Sequence, residues 1–237
     1  AFKDWHDQCF IDRPVHMESR LKWDSIPWLL FDNIEWRDWG DQLVMVSPCR
    51  PAMVREFYSS LVQTGRDKYT AYLRRRSFSL TPSSLGHFMS TSVELMYQCP
   101  WSSPQDIPAF LEVHAALTLP NTPFHPSIIF VKDLQAIPRY LDVIVRLNIC
   151  PASHRESFGH VHGAFLMAMS NIDTLVCLPT LMFKLIIEAG RTCQPNGMLP
   201  YGSMITRLCL ANQVPIQHLE VVEVNDNVLN RGSFFYS

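Results

Sequence analysis

The sequence predicts a mainly α (α+β) fold: a multi-helix single domain with a small β hairpin in its N-terminal half and a short extended C-terminal tail. Apolar residues recur at helical spacing in several segments. One stretch near residues 69–80 alternates as a strand does, and residues 219–224 are rich in valine before an Asn-Asp-Asn stop. With 237 residues, 47% of them hydrophobic, the chain can bury a sizeable core.

Composition and charge restrict the class of partner. Charged residues make up 18% of the chain and the net charge is -2, which gives no overall attraction to nucleic acid. Charge this sparse favours some apolar surface that meets a protein partner. No apolar run reaches the ~18 residues that span a bilayer, so no membrane partner is expected.

The seven cysteines are odd in number, scattered and never paired as C-x-x-C. That pattern is typical of reduced cysteines in an intracellular compartment, nuclear or cytoplasmic. Near the N-terminus, tryptophans alternate with polar residues and predict a buried aromatic cluster with carboxylate acceptors. These residues are Trp23, Trp28, Trp36 and Trp39, with Asp24, Asp32 and Asp38.

In the N-terminal half, an apolar stripe predicts a helix that begins at Pro51 and stops at Gly65. The stripe consists of Val54, Phe57, Tyr58, Leu61 and Val62. Tyr69, Ala71 and Leu73 then alternate, and Phe78 and Leu80 continue the alternation, which predicts a hairpin. Thr81 and Pro82 predict a cap and first turn for a short helix through Phe88.

The middle of the chain predicts a helix from about Gln105 to Leu117, a break at Pro120, and an apolar stretch from Ile128 to Leu147 bent or divided at Pro138. The inner face of the first helix is predicted from four residues: Ile107, Phe110, Leu111 and His114.

Towards the C-terminus, Ser153 and Glu156 have the spacing of a capping box and predict a helix to about Ser170. Further helices are predicted from Leu178 to a left-handed stop at Gly190, and over about residues 201–210. No Gly/Ser-rich linker divides the chain, so we expect a single domain over 1–237, with an N-terminal lobe of about 1–122 and a helical C-terminal lobe of about 123–237.

Known catalytic signatures are missing from the sequence. The nine glycines form no phosphate-binding loop or dinucleotide fingerprint. The nearest metal pattern is His154, His160 and His162, but residues two apart on a helix point to different faces, so no metal or cofactor is expected. Scattered acidic residues leave open an acidic metal site for polynucleotide transfer or cleavage.

One concentrated group of cations is the candidate site. It comprises Arg66, Lys68, Arg74, Arg75 and Arg76, with Tyr72 between them. Arginine forks onto phosphates and aromatic rings stack on bases, so this segment is a candidate contact for single-stranded nucleic acid. The alternative is a hairpin whose aromatic residues face the core while the arginines stay in water.

Four segments, in this order, resemble the plant transposon protein domain, a retroelement-derived plant mobile domain family. They are VREFYSSL from Val54, LRRRSFSLTP from Leu73, CPASH from Cys150 and LPYGSMITRLC from Leu199. Arg75 stands where the family usually has a glycine, which puts a tight turn in doubt. The resemblance implies a mobile-element origin and a helical fold, and it carries no catalytic residue.

The resulting hypothesis is a non-catalytic binding or assembly module that engages protein partners or element nucleic acid. One alternative is a transposase-like enzyme of polynucleotide transfer or cleavage. Another is a host-recruited regulatory or defence protein. The sequence indicates no particular oligomeric state.

Overall fold

Helix exceeds strand in the computed structural model, which confirms the predicted mainly helical α+β class. The structure describes residues 9–22, 24, 26–35, 37, 39, 47–91, 107–151, 156–171, 174, 176–192 and 197–229. Within those ranges, no helix has the length and apolar character needed to cross a bilayer.

The helices are α1 (Trp28–Glu35), α2 (Pro51–Ser59), α3 (Pro82–Phe88), α4 (Phe110–Leu117), α5 (Ala136–Ile144), α6 (His160–Ser170), α7 (Leu178–Arg191) and α8 (Gly202–Ala211). A 3-10 turn covers Val131–Asp133 and a π segment covers Val145–Ile149. The strands are β1 (Arg20–Leu21), β2 (Val62–Gly65), β3 (Lys68–Leu73), β4 (Arg76–Leu80), β5 (Ile129–Phe130), β6 (Ser157–Phe158) and β7 (Val228–Leu229).

The chain divides into two units, each assembled from separate stretches of sequence. The first unit contains the described residues of Ala1–Arg20, Asp41–Val93 and Pro179–Val228, and the second those of Leu21–Gly40, Glu94–Leu178 and Leu229–Ser237. Both units thus draw on the two predicted lobes. The single-domain organisation stays a prediction.

A three-stranded antiparallel sheet in the order β2-β3-β4 forms one side of the first unit. Tyr69, Ala71 and Leu73 are buried on one face, as the alternation predicts, and Phe78 of β4 stacks on Phe57 of α2 with ring centroids 6.1 Å apart. The opposite face is open to solvent. The predicted hairpin is therefore confirmed, with β2 as an additional strand.

The turn between β3 and β4 is tight although it contains no glycine. Leu73 pairs with Arg76, and the two residues between them, Arg74 and Arg75, have φ of 51° and 64°. Two consecutive left-handed residues make the hairpin turn that matches the twist of a sheet. The doubt raised by Arg75 in place of glycine is thus removed, at the steric cost of two non-glycine residues in this conformation.

Helix α2 ends earlier than predicted, at Ser59 instead of Gly65. The hydroxyls of Ser59 and Ser60 donate to the carbonyls of Glu56 and Phe57 at 3.0 and 2.9 Å. The Ser60 hydroxyl also accepts from the backbone amide of Tyr72 at 3.2 Å, which joins the end of the helix to β3. Hydroxyls that bond locally in this way compete with helix continuation, so Val62 lies in a strand and is exposed.

The short helix α3 has the predicted cap. The Thr81 hydroxyl accepts from the Ser84 amide at 3.0 Å, the Ser84 hydroxyl accepts from the Thr81 amide at 2.9 Å, and Pro82 occupies the first turn. This reciprocal pair satisfies amides that the helix leaves free. The prediction for residues 81–88 is confirmed in both bounds and cap.

The ends of α7 and α8 are capped by charged side chains from the N-terminal segment. Arg13 donates to the carbonyls of Ala189 and Thr192 at the end of α7, at 3.0 and 2.9 Å. The carboxylate of Glu18 accepts from the amides of Ser203 and Met204 at the start of α8, both at 2.9 Å. Arg13 has the sign that the helix dipole favours at the end of α7. Burial raises the pKa of Glu18 above its ordinary value, and the two amides that it accepts from oppose that shift.

Glycine 190 does not stop α7, contrary to the prediction, because the helix continues to Arg191 and Gly190 has no positive φ. A Cβ at Gly190 would lie 3.1 Å from Leu61 Cδ1 and 3.4 Å from the Tyr58 carbonyl oxygen. The residue therefore permits close approach to α2. The predicted inner face of α8 is confirmed, since Met204, Ile205, Leu208 and Cys209 are all buried.

The second unit packs α6 against α4 and α5, beside the short β5-β6 pair. Helix α4 begins at Phe110 and buries Val113, His114 and Leu117, whereas Leu111 is exposed. The predicted inner face is thus wrong at Leu111. The reason is that Gly163 of α6 sits against Val113, so the helix turns that side inward.

Two boundary predictions in this unit are also wrong. Pro138 falls in the first turn of α5, where a missing amide is harmless, so it neither bends nor divides the helix. Helix α6 begins at His160 with Gly159 as its N-cap, and Glu156 precedes β6. Glu156 is thus not in the first turn of the helix, and Ser153 lies outside the described residues.

The remaining predictions are partly correct and partly wrong. Trp39 is buried but Trp28 is 78% exposed, so the aromatic cluster fails at Trp28, and Trp23 and Trp36 lie outside the described residues. Cys9 is disulfide-bonded, which corrects the all-reduced expectation, while Cys49, Cys150, Cys177 and Cys209 are free thiols. Strands also occur outside the two predicted regions, at β1, β2, β5 and β6.

The start of α8 allows a stability test. A Cβ at Gly202 would lie 2.6 Å from Val15 Cγ1 and 2.9 Å from the His16 carbonyl oxygen, which already accepts the Gly202 amide. We therefore expect Gly202→Ala to lower the free energy of unfolding by about 1–3 kcal/mol in urea titrations. Gly65→Ala is the matched control, because the nearest atom is 3.5 Å away, and it should change stability by less than about 0.5 kcal/mol. Equal stability of the two variants would contradict this packing.

Candidate binding surface

The predicted cationic residues lie on the β2-β3-β4 sheet and its two turns, but they differ in exposure. Arg66, Lys68, Arg75 and Arg76 are exposed, and Tyr72 is half-exposed on the outer face of β3. Arg66 and Lys68 belong to one end of the sheet, and Arg75 and Arg76 to the other. Arg74 points the other way, into the first unit.

Arg74 forms a double ion pair with two carboxylates. Its Nε and Nη2 donate to Glu56 at 2.9 and 2.8 Å, and its Nη1 and Nη2 donate to Glu220 at 3.1 and 2.8 Å. Nη1 also donates to the Pro215 carbonyl at 2.9 Å. The side chains of Arg74 and Glu220 are 6% and 1% exposed, so both charges are largely removed from water. We call these three side chains the Arg74 cluster.

Each carboxylate receives a fork of two hydrogen bonds, the geometry in which guanidinium binds carboxylate best. Burial lowers the pKa of Arg74, but the hydrogen bonds to Glu56 and Glu220 outweigh it and the net shift is upward. Burial likewise raises the pKa of Glu220, and Arg74 reverses that to a net shift downward. Both groups therefore keep their charge in the folded protein.

The Arg74 cluster fixes a C-terminal segment, residues 215–224, which we call the strap. Arg50 Nη1 lies 3.6 Å from Glu220 as a second cation. Further along, Glu223 and Cys49 exchange two backbone hydrogen bonds of 2.8 Å each, and the Asn225 side chain donates to the carbonyls of Met17 and Glu18 at 3.1 and 3.0 Å. The strap is thus attached at its beginning, its middle and just beyond its end.

The outward side chains of the strap are mostly apolar. Leu219 is 88% exposed and Val221 is 66% exposed, and three more large apolar residues are at least 45% exposed: Ile216, Val222 and Val224. Exposed polar residues, namely Gln217, His218 and Glu223, lie between them. Single exposed apolar residues are ordinary, but five on one short segment are typical of an interaction surface.

A cleft of about 550 Å³ lies in the first unit, between the β2-β3 turn and α7. Arg66, Lys184 and Arg191 line it together with Asp67 and Glu188. Arg191 is engaged there, since its guanidinium lies 5.3 Å from the centre of the Tyr69 ring and it donates to Tyr69 Oη and Gln63 Oε1. Tyr69 and Phe183 in its wall are buried and offer no free ring face.

The histidines of the metal pattern have structural partners. His160 Nε2 is 2.6 Å from the Pro108 carbonyl oxygen, and His162 Nε2 is 2.8 Å from Asp142 Oδ1. The two imidazoles therefore serve different contacts, and His154 lies outside the described residues. In the part of the chain that the structure describes, no three His, Cys, Asp or Glu side chains are placed to share a metal ion.

The buried carboxylates likewise serve the fold. Glu18 caps α8, Glu220 binds Arg74, and Asp142 is paired with Arg146 and His162. Burial is the main cause that raises the pKa of Cys49 and of Cys209 to about 12, so both thiols stay protonated. A protonated, buried thiol is a poor nucleophile.

The sequence did not reveal the Arg74 cluster, because its three members lie far apart in the chain. A weaker signal was present in the strap, where Val221, Val222 and Val224 occur with little polar alternation. That run predicted an extended tail but not the exposure of its side chains.

Replacing Arg74 should lower the free energy of unfolding more than replacing its neighbour Arg75 does. Arg74→Gln leaves the buried Glu220 without its main partner, so we expect a loss of about 3 kcal/mol in the free energy of unfolding. Arg75→Gln, in the same turn but exposed, should change it by less than about 0.5 kcal/mol. Urea titrations of both variants measure the difference, and similar values would show that the cluster contributes little.

The same contact makes stability depend on pH. The folded pKa of Glu220 lies below its ordinary value of 4.5, so its contribution is complete above that value and is lost as the pH falls through the folded pKa. The stability gap between wild type and Arg74→Gln should thus be constant near neutral pH and narrow as the pH falls below 4.5. A gap that widens on acidification would contradict the assignment.

The chain matches the family described as "Putative plant retrotransposon-related domain" over residues 35–215. Searches of curated proteins and of solved structures found no match. The family match contains α2 and the β3-β4 turn, which carry Glu56 and Arg74, whereas Glu220 and the strap beyond Pro215 lie outside it. Because it covers most of the 237 residues, the chain belongs to the plant retrotransposon-related domain family.

Proposed function

We propose that this chain is a non-catalytic binding and assembly module derived from a plant transposable element, and that the strap is its surface for a protein partner. The observation that carries the proposal is the series of exposed apolar side chains on the strap, from Ile216 to Val224. The family match supports the origin.

The attachment of the strap is the second argument. A flexible tail would lose conformational entropy on binding, at a cost of about 1–2 kcal/mol for each residue fixed. Here Glu220 is already bound by Arg74, and Glu223 is already paired with Cys49. Much of that cost is met when the protein folds, which leaves more of the binding free energy as affinity.

A protein partner agrees better with the surface than single-stranded nucleic acid does. Stacking needs exposed rings, and only Tyr72 of the sheet aromatics is exposed, while Tyr69 and Phe78 face the core. Arg74 is bound within the protein, which leaves Arg66, Lys68, Arg75 and Arg76 as available cations at two separate ends of the sheet. This arrangement favours acidic residues on a protein partner over a continuous phosphate backbone.

Two alternative functions are compared with the same structure. Polynucleotide transfer or cleavage would need carboxylates that converge on metal ions, and the described buried carboxylates are instead engaged with amides, Arg or His. A host-recruited regulatory or defence protein would use the same strap. As part of this proposal we place the protein inside the cell, in the nucleus or cytoplasm, on its mobile-element family and its four described free thiols, although the Cys9 disulfide is unusual there.

The strap side chains test the proposal directly. Leu219→Ser with Val221→Ser removes two large exposed contacts, each worth about 1.5–3 kcal/mol when buried, so partner affinity should fall by at least about 100-fold. The readout is quantitative pull-down of named proteins from plant nuclear and cytoplasmic extract, followed by titration of the purified partner. Leu111→Ser in the second unit is the matched control, because Leu111 is also exposed.

The double variant should unfold at the same temperature as wild type, since neither side chain is buried. A partner that binds the wild type and the double variant equally would overturn the proposal.

Nucleic-acid binding is tested separately. If the exposed arginines bind phosphate, Arg75→Gln with Arg76→Gln should lower affinity for an oligothymidylate and flatten its salt dependence by about 0.7 per lost contact. We expect instead no measurable binding by the wild type at about 50 mM salt. The Debye length at this salt is about 14 Å, so exposed charges are only partly screened and any phosphate contact should be detectable. Tight binding that the double variant loses would assign the surface to nucleic acid.

A further inference from the structure

We propose that the strap binds its partner by strand addition, with an extended peptide pairing along the free backbone edge at Val222 and Val224. This inference rests on the proposed function and names the kind of partner. The expected occupant is a segment of another protein with alternating apolar side chains and an acidic residue at one end.

The single bridge between Glu223 and Cys49 sets the direction of the backbone groups. Glu223 directs both its amide and its carbonyl towards Cys49, with hydrogen bonds of 2.8 Å in each direction. In an extended chain, neighbouring residues direct these groups to opposite sides. The amides and carbonyls of Val222 and Val224 are therefore directed away from Cys49, on the outer edge of the strap.

That outer edge has no partner within the described part of the chain. The backbone amides of Val222 and Val224 donate no hydrogen bond there, and their carbonyls accept none. Both residues are well exposed, at 45% and 60%. Unpaired backbone groups on an extended, apolar segment are a template for another strand.

Proline and lysine, two devices that block an edge, are absent from this segment. Proteins protect edges with proline, lysine, bulges or inward charges. Between residues 220 and 224 the sequence is Glu-Val-Val-Glu-Val, with neither proline nor lysine. Glu220, bound to Arg74, is an inward charge at the start of the segment, so Val222 and Val224 are the positions that neither proline nor an inward charge protects. The β-branched valines suit a pleated, half-buried surface.

Both ends of the edge are defined. Leu219 has a φ of 66°, so the chain changes direction just before Glu220, and the Asn225 side chain binds the Met17 and Glu18 carbonyls just after Val224. The segment between these ends is five residues long, the ordinary length of a strand. Its free outward groups are those of Val222 and Val224, because the Glu220 amide donates to the Gln217 carbonyl at 3.3 Å.

Charge defines the polarity of the occupant. The beginning of the strap lies beside the β3-β4 turn, where Arg74 binds Pro215 and Glu220 and the adjacent Arg75 and Arg76 are exposed. At the other end, Glu223 is an exposed carboxylate. An acidic residue on the occupant is thus favoured next to Arg75 and disfavoured next to Glu223.

A random 12-residue peptide library displayed on phage, selected against the whole chain, tests the inference. We expect enrichment of peptides with alternating β-branched residues and an acidic residue at one end. Enriched peptides should bind Val222→Pro and Val224→Pro about tenfold more weakly, because each variant removes an outward amide. Val224→Thr, which keeps its outward amide, is the matched control and should weaken binding by less than about threefold.

Circular dichroism and melting temperature establish that each variant folds. Val222→Thr, which keeps the backbone donor, provides a second test, and its affinity for the peptides should fall by less than about threefold. The absence of an enriched alternating pattern, or equal losses for Val224→Thr and Val224→Pro, would overturn strand addition. Self-association that Val222→Pro abolishes in sedimentation would overturn the choice of another protein as the occupant, in favour of a second copy. Displacement of the peptides by an oligothymidylate would also overturn it.

The two proposals fail in different ways. If Leu219→Ser with Val221→Ser abolishes partner binding while Val222→Pro does not affect it, the strap is a binding surface but not a strand template. If neither variant affects any partner, the proposed function itself fails.

Discussion

The double ion pair of Arg74 with Glu56 and Glu220 is the interaction on which the rest of the first unit depends. It joins three segments that are distant in sequence: the helix α2, the turn of the sheet and the strap. A buried arginine is costly to remove from water, and it is tolerated here because two carboxylates and the Pro215 carbonyl occupy its donors.

This cluster also separates the arginines by role. Three consecutive arginines look equivalent in the sequence, yet Arg74 is bound inside the protein whereas Arg75 and Arg76 stay in water. A binding site that needs all three would have to break two buried ion pairs. The surface that remains is instead a rigid apolar strap with cations beside its beginning, which is the combination that favours a protein partner.

Local signals in the sequence predicted the elements whose causes are local. The Thr81 cap, the alternation from Tyr69 to Leu80 and the buried face of α8 were all correct, because hydrogen bonding and burial there involve near neighbours. The failures have distant causes. Gly190 reads as a stop but fits against Tyr58, Ser60 ends α2 by bonding to β3, and Gly163 sets which side of α4 faces inward. The same holds for the candidate site. The sequence predicted its exposed cations, which are close together in the chain, but it did not predict the distant partners of Arg74.

Charge is used inside this protein to an unusual degree for so few charged residues. Arg13 caps the end of α7, Glu18 caps the start of α8, and in the second unit Arg37 donates to the carbonyls of Asn171 and Thr174 beyond α6. Burial lowers the pKa of Arg37 to about 10, which still leaves it charged near neutral pH. Each charged residue that lies at a helix end or in the Arg74 cluster reduces the number of charges on the surface. With only 18% charged residues in total, few charges remain for the exterior, which agrees with the exposed valines of the strap.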